Sequence, residues 1–308
     1  MRYFLGIDTS CYTTSCAVVN EQGEIICDNR ILLTVPEGGR GLRQSDMLFE
    51  HTKNLPSVFP VGFSGFTAVA VSTRPRPKEG SYMPVFRAAE AFGTAAAGSS
   101  GAPLYKLSHQ HGHIGAALIG NDLEGEFLVL HVSGGTTDVL KASAQNRIIR
   151  EIEGLGETSD LSAGQLIDRT GVKLGLAFPA GPHLEKLAEK STDPVMLKSV
   201  VKGLLPSFSG AEAAVCRMIE NGVPAEDIAA GVERCVANTL EKMIRAAREQ
   251  TDIFPVLLVG GVMQNQHIRA RLNHRLHGLH FAKDRLSADN ACGLAMQARN
   301  IYFESEDI

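Results

Sequence analysis

The feature that most restricts the fold is a repeat: an apolar strand, a turn of small residues and a second strand occur twice, about 125 residues apart. The first copy runs over residues 3–8, a Thr9-Ser10-Cys11 turn and residues 16–19. The second runs over residues 127–132, a Ser133-Gly134-Gly135-Thr136 turn and residues 137–142. Such a period reads as an internal duplication. A further apolar strand at 256–259 enters Gly260-Gly261 and then a helix beginning near Gln264. Strands alternating with helices define an α/β class, and two turn-bearing halves predict a cleft in which a ligand sits. The expected division is 1–125 and 126–308. Over 225–249, Ile228, Val232, Cys235, Val236, Leu240, Met243, Ile244 and Ala247 form one apolar stripe, so this segment is expected to be a core helix.

Composition agrees with two domains of ordinary size, since the chain has 308 residues, 44% of them hydrophobic and 21% charged. Thirty basic against 34 acidic residues give a formal net charge of -4, so any RNA must be met by a local patch. One such patch is Arg74-Pro75-Arg76-Pro77-Lys78, a basic loop after the strand-like 68–71, barred from regular helix by its prolines. The cysteines at 11, 16, 27, 216, 235 and 292 make no CxxC pair, and no apolar run reaches the ~18 residues of a membrane span; reduced thiols and cytoplasmic residence are expected. The N-terminus lacks the apolar core and small-residue cleavage site of a signal peptide.

The richest chemistry lies in His109-Gln110-His111-Gly112-His113. If Ser108 caps a helix running to about Ile119, His109 and His113 share a face at i, i+4, the geometry of two ligands to one metal, while His111 points elsewhere. The alternative is a surface histidine cluster at a helix start. A third ligand must come from distant sequence, and Asp289 is a candidate; a plain N-cap for a helix over 290–299 is the competing reading. Two histidines and one carboxylate would leave coordination positions open and suit iron or zinc.

Ser133-Gly134-Gly135 and Gly260-Gly261 each end an apolar strand, where bare backbone N–H groups could receive an anion, or simply turn the chain. Asp168, on an expected helix, could bond ligand hydroxyls or stand as a solvated helix-face carboxylate. Cys11, in the turn, reads better as a small buried residue than as a reactive thiol. No GxSxG, GxxxxGK[ST] or HExxH string is present, so serine hydrolase, P-loop and thermolysin-like chemistries lack support.

Taken in order, Leu5-Gly6-Ile7-Asp8-Thr9-Ser10-Cys11, His109/Gly112/His113, Val132-Ser133-Gly134-Gly135, Gly156-Glu157-Thr158, Asp168, Pro179-Ala180-Gly181-Pro182, Ser207-Phe208-Ser209-Gly210, Gly260-Gly261-Val262 with Asn265, and Asp289-Asn290 form a collinear series. It resembles the Gcp-like, TsaD-type threonylcarbamoyladenosine synthase family. The resemblance implies an actin-like, hexokinase-like ATPase-type fold of two related halves. It also implies transfer of a threonylcarbamoyl group from its adenylate, threonylcarbamoyl-AMP, to N6 of an adenosine in tRNA, with partner proteins of a threonylcarbamoylation complex. By the same resemblance His109, His113 and Asp289 hold one iron or zinc ion. Val132, Ser133, Gly134, Gly135, Thr136, Asp168, Gly181 and Asn265 match the positions that hold the adenylate. Several residues depart from the family pattern: Tyr12 and Thr13 replace acidic residues, Thr136 replaces His or Asn, and Leu161 replaces an acidic residue. His111 stands for an acidic residue between the two histidines, Ala211-Glu212 for Leu-Lys, and the 74–78 loop for a glycine-rich one. These departures leave room for a paralogue acylating another acceptor, or for a non-catalytic subunit of a synthase complex.

Overall fold

The computed structural model describes residues 1–10, 12–34 and 42–306. It resolves into two compact units: Met1–Gly125 with Ala144–Arg150 and Asp289–Ile308, and Glu126–Ser143 with Glu151–Ala288. In chain order the first part of the molecule carries β1 (Tyr3–Ser10), β2 (Thr13–Asn20), β3 (Ile25–Leu32), α1 (Gln44–Val58), β4 (Ala68–Arg74), α2 (Phe86–Ser100), β5 (Leu104–Ser108) and α3 (His109–Leu118). Next come β6 (Gly125–Val132), β7 (Thr137–Gln145), β8 (Ile148–Glu157), α4 (Ala163–Lys173) and α5 (Gly181–Ala188). A small ribbon of β9 (Val200–Lys202) and β10 (Leu205–Ser207) precedes α6 (Ser209–Glu220) and α7 (Ala225–Thr251). The chain ends with β11 (Val256–Val259), a 3-10 turn at Gly261–Gln264, α8 (Gln266–Arg275), β12 (Leu279–Phe281), α9 (Asp284–Ser287) and α10 (Cys292–Glu306).

Sheet topology carries the duplication. One five-stranded sheet has the order β3-β2-β1-β4-β5 and the other, read from its far edge, β8-β7-β6-β11-β12, the same arrangement twice. In the first, β1 runs antiparallel to β2 and parallel to β4, which runs parallel to β5. In the second, β11 lies parallel to both β6 and β12. These are mixed α/β sheets of the actin-like ATPase type.

The central strands read as near-continuous apolar runs because both of their faces are covered: β2 is buried along its whole length and β1 at all but its first residue. Leu5, Ile7, Val18, Leu55, Val69, Val71 and Ala89 share the first core. The second core centres on Leu128, Leu130, Leu166, Phe208, Val256 and Leu258, and the stripe read on residues 225–249 is buried against it at every position. The expected helix near Gln264 begins instead with the 3-10 turn, because Asn265 caps α8 by accepting a bond from the Ile268 N–H. The described cysteines are free thiols, and no helix among the described residues is long and apolar enough to cross a membrane. Cys11 lies outside the described residues.

Candidate metal centre and its surroundings

α3 starts where the sequence places it. Ser108 is its N-cap, accepting from the His111 N–H, and His111 answers through its ring, completing a capping box. The His111 Nδ1 stands 2.7 Å from the Ser108 hydroxyl, and burial together with the positive charge of Arg74 pushes this imidazole down to about 4. His111 is thus a capping residue outside the metal cluster. One helical turn apart, His109 and His113 stand ring against ring with centroids 4.4 Å apart.

Their third companion arrives on the segment leading into α10. Asp289 Oδ1 lies 3.1 Å from His113 Nε2 and 3.6 Å from His109 Nε2. Ligand atoms of all three residues fall within 4.8 Å of one another. What brings the helices together is the absence of side chains at the crossing. A Cβ on Gly293 of α10 would sit 1.9 Å from the Gly112 carbonyl oxygen of α3, so the backbones touch there. The N-cap reading of Asp289 is corrected: Asn290 Oδ1 accepts from the Cys292 N–H, and α10 begins at Cys292 rather than Asn290. The Asp289 carboxylate is taken by the histidines, and its own carbonyl accepts from Arg30, which Asp28 grips through two bonds.

Electrostatics sharpen the cluster. Burial pulls the Asp289 carboxyl up, but hydrogen bonds and charges from His109 and His113 outweigh it and hold it well below the usual carboxylate range. Burial and the neighbouring His109 charge push His113 down, toward the neutral imidazole that a metal requires. Burial also works against the charged form of His109, yet Asp8 and Asp289 overcome it and raise this group well above its ordinary value. Asp8, fully buried on β1, entered the sequence reading only as the last residue of the strand over 3–8 and within the collinear series; the signal for more was an acidic residue closing an otherwise apolar strand. Two imidazole nitrogens from α3 and an ionised carboxylate from the segment before α10 fit one borderline metal ion such as zinc or iron.

The residues matched to an adenylate site all fall in the second unit. The Gly135 and Thr136 N–H groups donate to Ser133 Oγ, and the Ser133 N–H donates to the Thr136 carbonyl, so the turn is tied to itself. Gly134 receives a bond from Ser162 at the start of α4. Gly260 abuts the same strand end, where a Cβ would lie 2.2 Å from the Val132 carbonyl oxygen. Asp168 is half-buried and accepts from the Ala180 N–H at 2.8 Å, with Gly181 adding a second backbone bond; burial nevertheless raises its pKa. It fastens the start of α5, a role that neither sequence reading of this residue anticipated. Asn265 is buried, donating to Glu233 Oε1 at 2.5 Å, while His267 Nδ1 meets Glu233 Oε2 at 2.7 Å. Glu233 and His267 line a cavity of about 380 Å³ together with Arg234, Arg271 and Glu189. Sequence reasoning missed this group, whose only trace is a glutamate on the apolar stripe of a long helix.

A family profile described as tRNA N6-adenosine threonylcarbamoyltransferase matches residues 53–296. A protein of that name from Bacillus subtilis is 32% identical over 88% of this chain and 80% of its own. Another from Thermus thermophilus is 30% identical over 96% and 92%. Among solved structures, component A of (R)-2-hydroxyglutaryl-CoA dehydratase from Acidaminococcus fermentans superposes with a TM-score of 0.60 at 18% identity, covering 98% of this chain and 100% of that one. The T. kodakarensis HypF structure gives a TM-score of 0.62 at 13% identity, covering 99% of this chain and 48% of that one. These two likenesses concern the fold alone.

Proposed function

This chain belongs to the tRNA N6-adenosine threonylcarbamoyltransferase family, and on that premise we propose that it transfers a threonylcarbamoyl group from threonylcarbamoyl-AMP to N6 of an adenosine in tRNA. The observation that carries the reading is the convergence of His109, His113 and Asp289 in a chain matching the family across residues 53–296. In the transfer a bond forms between N6 and the carbamoyl carbon, the bond from that carbon to the phosphate oxygen breaks, N6 loses a proton and AMP leaves. An iron or zinc ion, when bound, supplies Lewis-acid polarisation of the attacked carbonyl.

The chain's own residues do the positioning. Asp289 keeps its negative charge between the two imidazoles, and the Gly112–Gly293 contact holds α10 against the helix that carries them. The adenylate is assigned to Val132, Ser133, Gly134, Gly135, Thr136, Asp168, Gly181 and Asn265. Gly134 and Gly135 are exposed and bear no side chain, so a phosphate can approach the turn closely although the Ser133, Gly135 and Thr136 N–H groups are bonded within it, while Asp168 steadies the start of α5. For the acceptor, Arg74 at the end of β4 and Arg76 and Lys78 in the loop after it form a basic group beside the metal-bearing helix, where the Gln110 N–H donates to the Pro75 carbonyl. Glu212, which departs from the family pattern, is occupied by Arg169 at 3.1 Å. The reaction is assigned to the cytoplasm and to a complex with partner proteins of threonylcarbamoylation.

The test is AMP release from threonylcarbamoyl-AMP with and without tRNA, alongside formation of the modified nucleoside and metal analysis. Modified tRNA, dependent on donor and on partner proteins, is the expected result; AMP release with no modified nucleoside would sink the tRNA acceptor. Replacing Arg74, Arg76 and Lys78 by Ala should flatten the salt dependence of tRNA binding by up to about three phosphate contacts.

A further inference from the structure

We propose that Asp8 is the positioning carboxylate of the metal centre, holding His109 in the tautomer that presents Nε2 to the ion. The inference deepens the reading of His109, His113 and Asp289 as ligands and rests on it. The Asp8 side chain is only 1% exposed, and a buried carboxylate persists only when hydrogen-bonded and paired. It accepts a bond from Ser10 Oγ at 2.7 Å, and His109 Nδ1 stands 3.2 Å from each of its oxygens. The two nitrogens of His109 therefore face different groups: Nδ1 faces Asp8, and Nε2 faces Asp289 at 3.6 Å, on the side shared with His113. With an ion bound in place of the Nε2 proton, the proton on Nδ1 would donate to Asp8 and the Nε2 lone pair would be the one aimed at the point where the three ligand atoms converge. Nothing in the ring itself selects that tautomer; its environment does.

The support beneath Asp8 is rigid. Thr9, its neighbour on β1, donates to the Val85 carbonyl and receives the Ala89 N–H of α2, pinning the strand end that carries the carboxylate. Ser10 bridges the cluster, donating to Asp8 Oδ2 while lying 3.5 Å from Asp289 Oδ2. Asp8 touches the ring nitrogen remote from the ion site, so it acts through His109 and not on substrate.

The experiment measures Zn²⁺ affinity by chelator competition, and the absorption spectrum with Co²⁺, for the full chain and its Asp8→Asn, Asp8→Glu and Asp289→Ala variants. The unaltered protein should bind one ion and Asp289→Ala none. Asp8→Asn should bind about 10–100-fold more weakly with a changed Co²⁺ spectrum, and Asp8→Glu should recover most of the loss. Asp8→Asn with unaltered affinity and spectrum overturns the proposal and leaves the ligand set standing; an unaltered protein that binds no ion overturns the ligand set itself. Independent of any variant's folding, ¹⁵N resonances of the zinc-loaded protein should show His109 protonated at Nδ1. Protonation at Nε2 overturns the proposal.

Discussion

In the first unit, β1 pairs with β4 through Phe4 to Ile7 against Ala68 to Val71, and the next residue along is Asp8. In the second, β6 pairs with β11 through Leu128 to His131 against Val256 to Val259, and the next residue is Val132. One sheet order thus delivers a buried carboxylate just past the parallel pairing of one central strand and an apolar side chain at the same place on the other. Around Asp8 the chain assembles imidazoles and a second carboxylate. After Val132 it makes a glycine turn with exposed backbone. Duplication determined where each site could lie, and side chains determined what each could do: ion chemistry in one unit, close backbone approach in the other.

The largest expected effect separates the two directly. Removing His113 or Asp289 by Ala should weaken metal binding by more than about 100-fold, measured as metal content after dialysis. Gly135→Ala, where an added Cβ meets nothing within 4 Å, should leave metal content unchanged. Equal losses from both would break the comparison.

Backbone contacts offer a second contrast. Gly293→Val forces apart the helices at the Gly112 carbonyl, and Gly260→Ala both strains a φ of +99° and meets the Val132 carbonyl. Each should cost about 2–3 kcal/mol in denaturant unfolding, but only Gly293→Val should also empty the metal site.

Smaller effects belong to caps. Asn265→Ala removes the α8 cap and a partner of Glu233, and should cost about 1–2 kcal/mol without changing metal content. Asp160 is milder: burial pulls its pKa up, but bonds from Ser207, Ser209, Leu161 and Phe208 together lower it. A depressed folded-state pKa means stability present above the unfolded value of about 3.9 and lost as pH falls through the folded one. Asp160→Asn should therefore flatten the loss of stability below about pH 4, by under about 1 kcal/mol after solvent screening, as read from unfolding curves at stepped pH.

Much of this was legible because it depends on period. Alternation of strands and turns showed the duplication, the stripe from Ile228 to Ala247 showed the core helix, and the i, i+4 spacing put His109 and His113 on one face. Local chemistry was legible too, since Ser108 capping α3 involves residues within one turn. Less was legible where two roles compete for one side chain. Asp289 has the makings of an N-cap, but two imidazoles claim it and Asn290 caps α10 instead.

By itself, the sequence determined the α/β class, the twofold repeat and the candidate ligands, because hydrophobic period and residue chemistry are properties of the chain. Only the tertiary structure decided which partners each polar group keeps. Asp8 meets His109 across 101 positions and Glu233 meets Asn265 across 32, while Asp168 turns to the start of α5 instead of to solvent. A buried polar group must find a partner wherever packing supplies one, and packing at the Gly112–Gly293 crossing depends on distant backbones that no local pattern records.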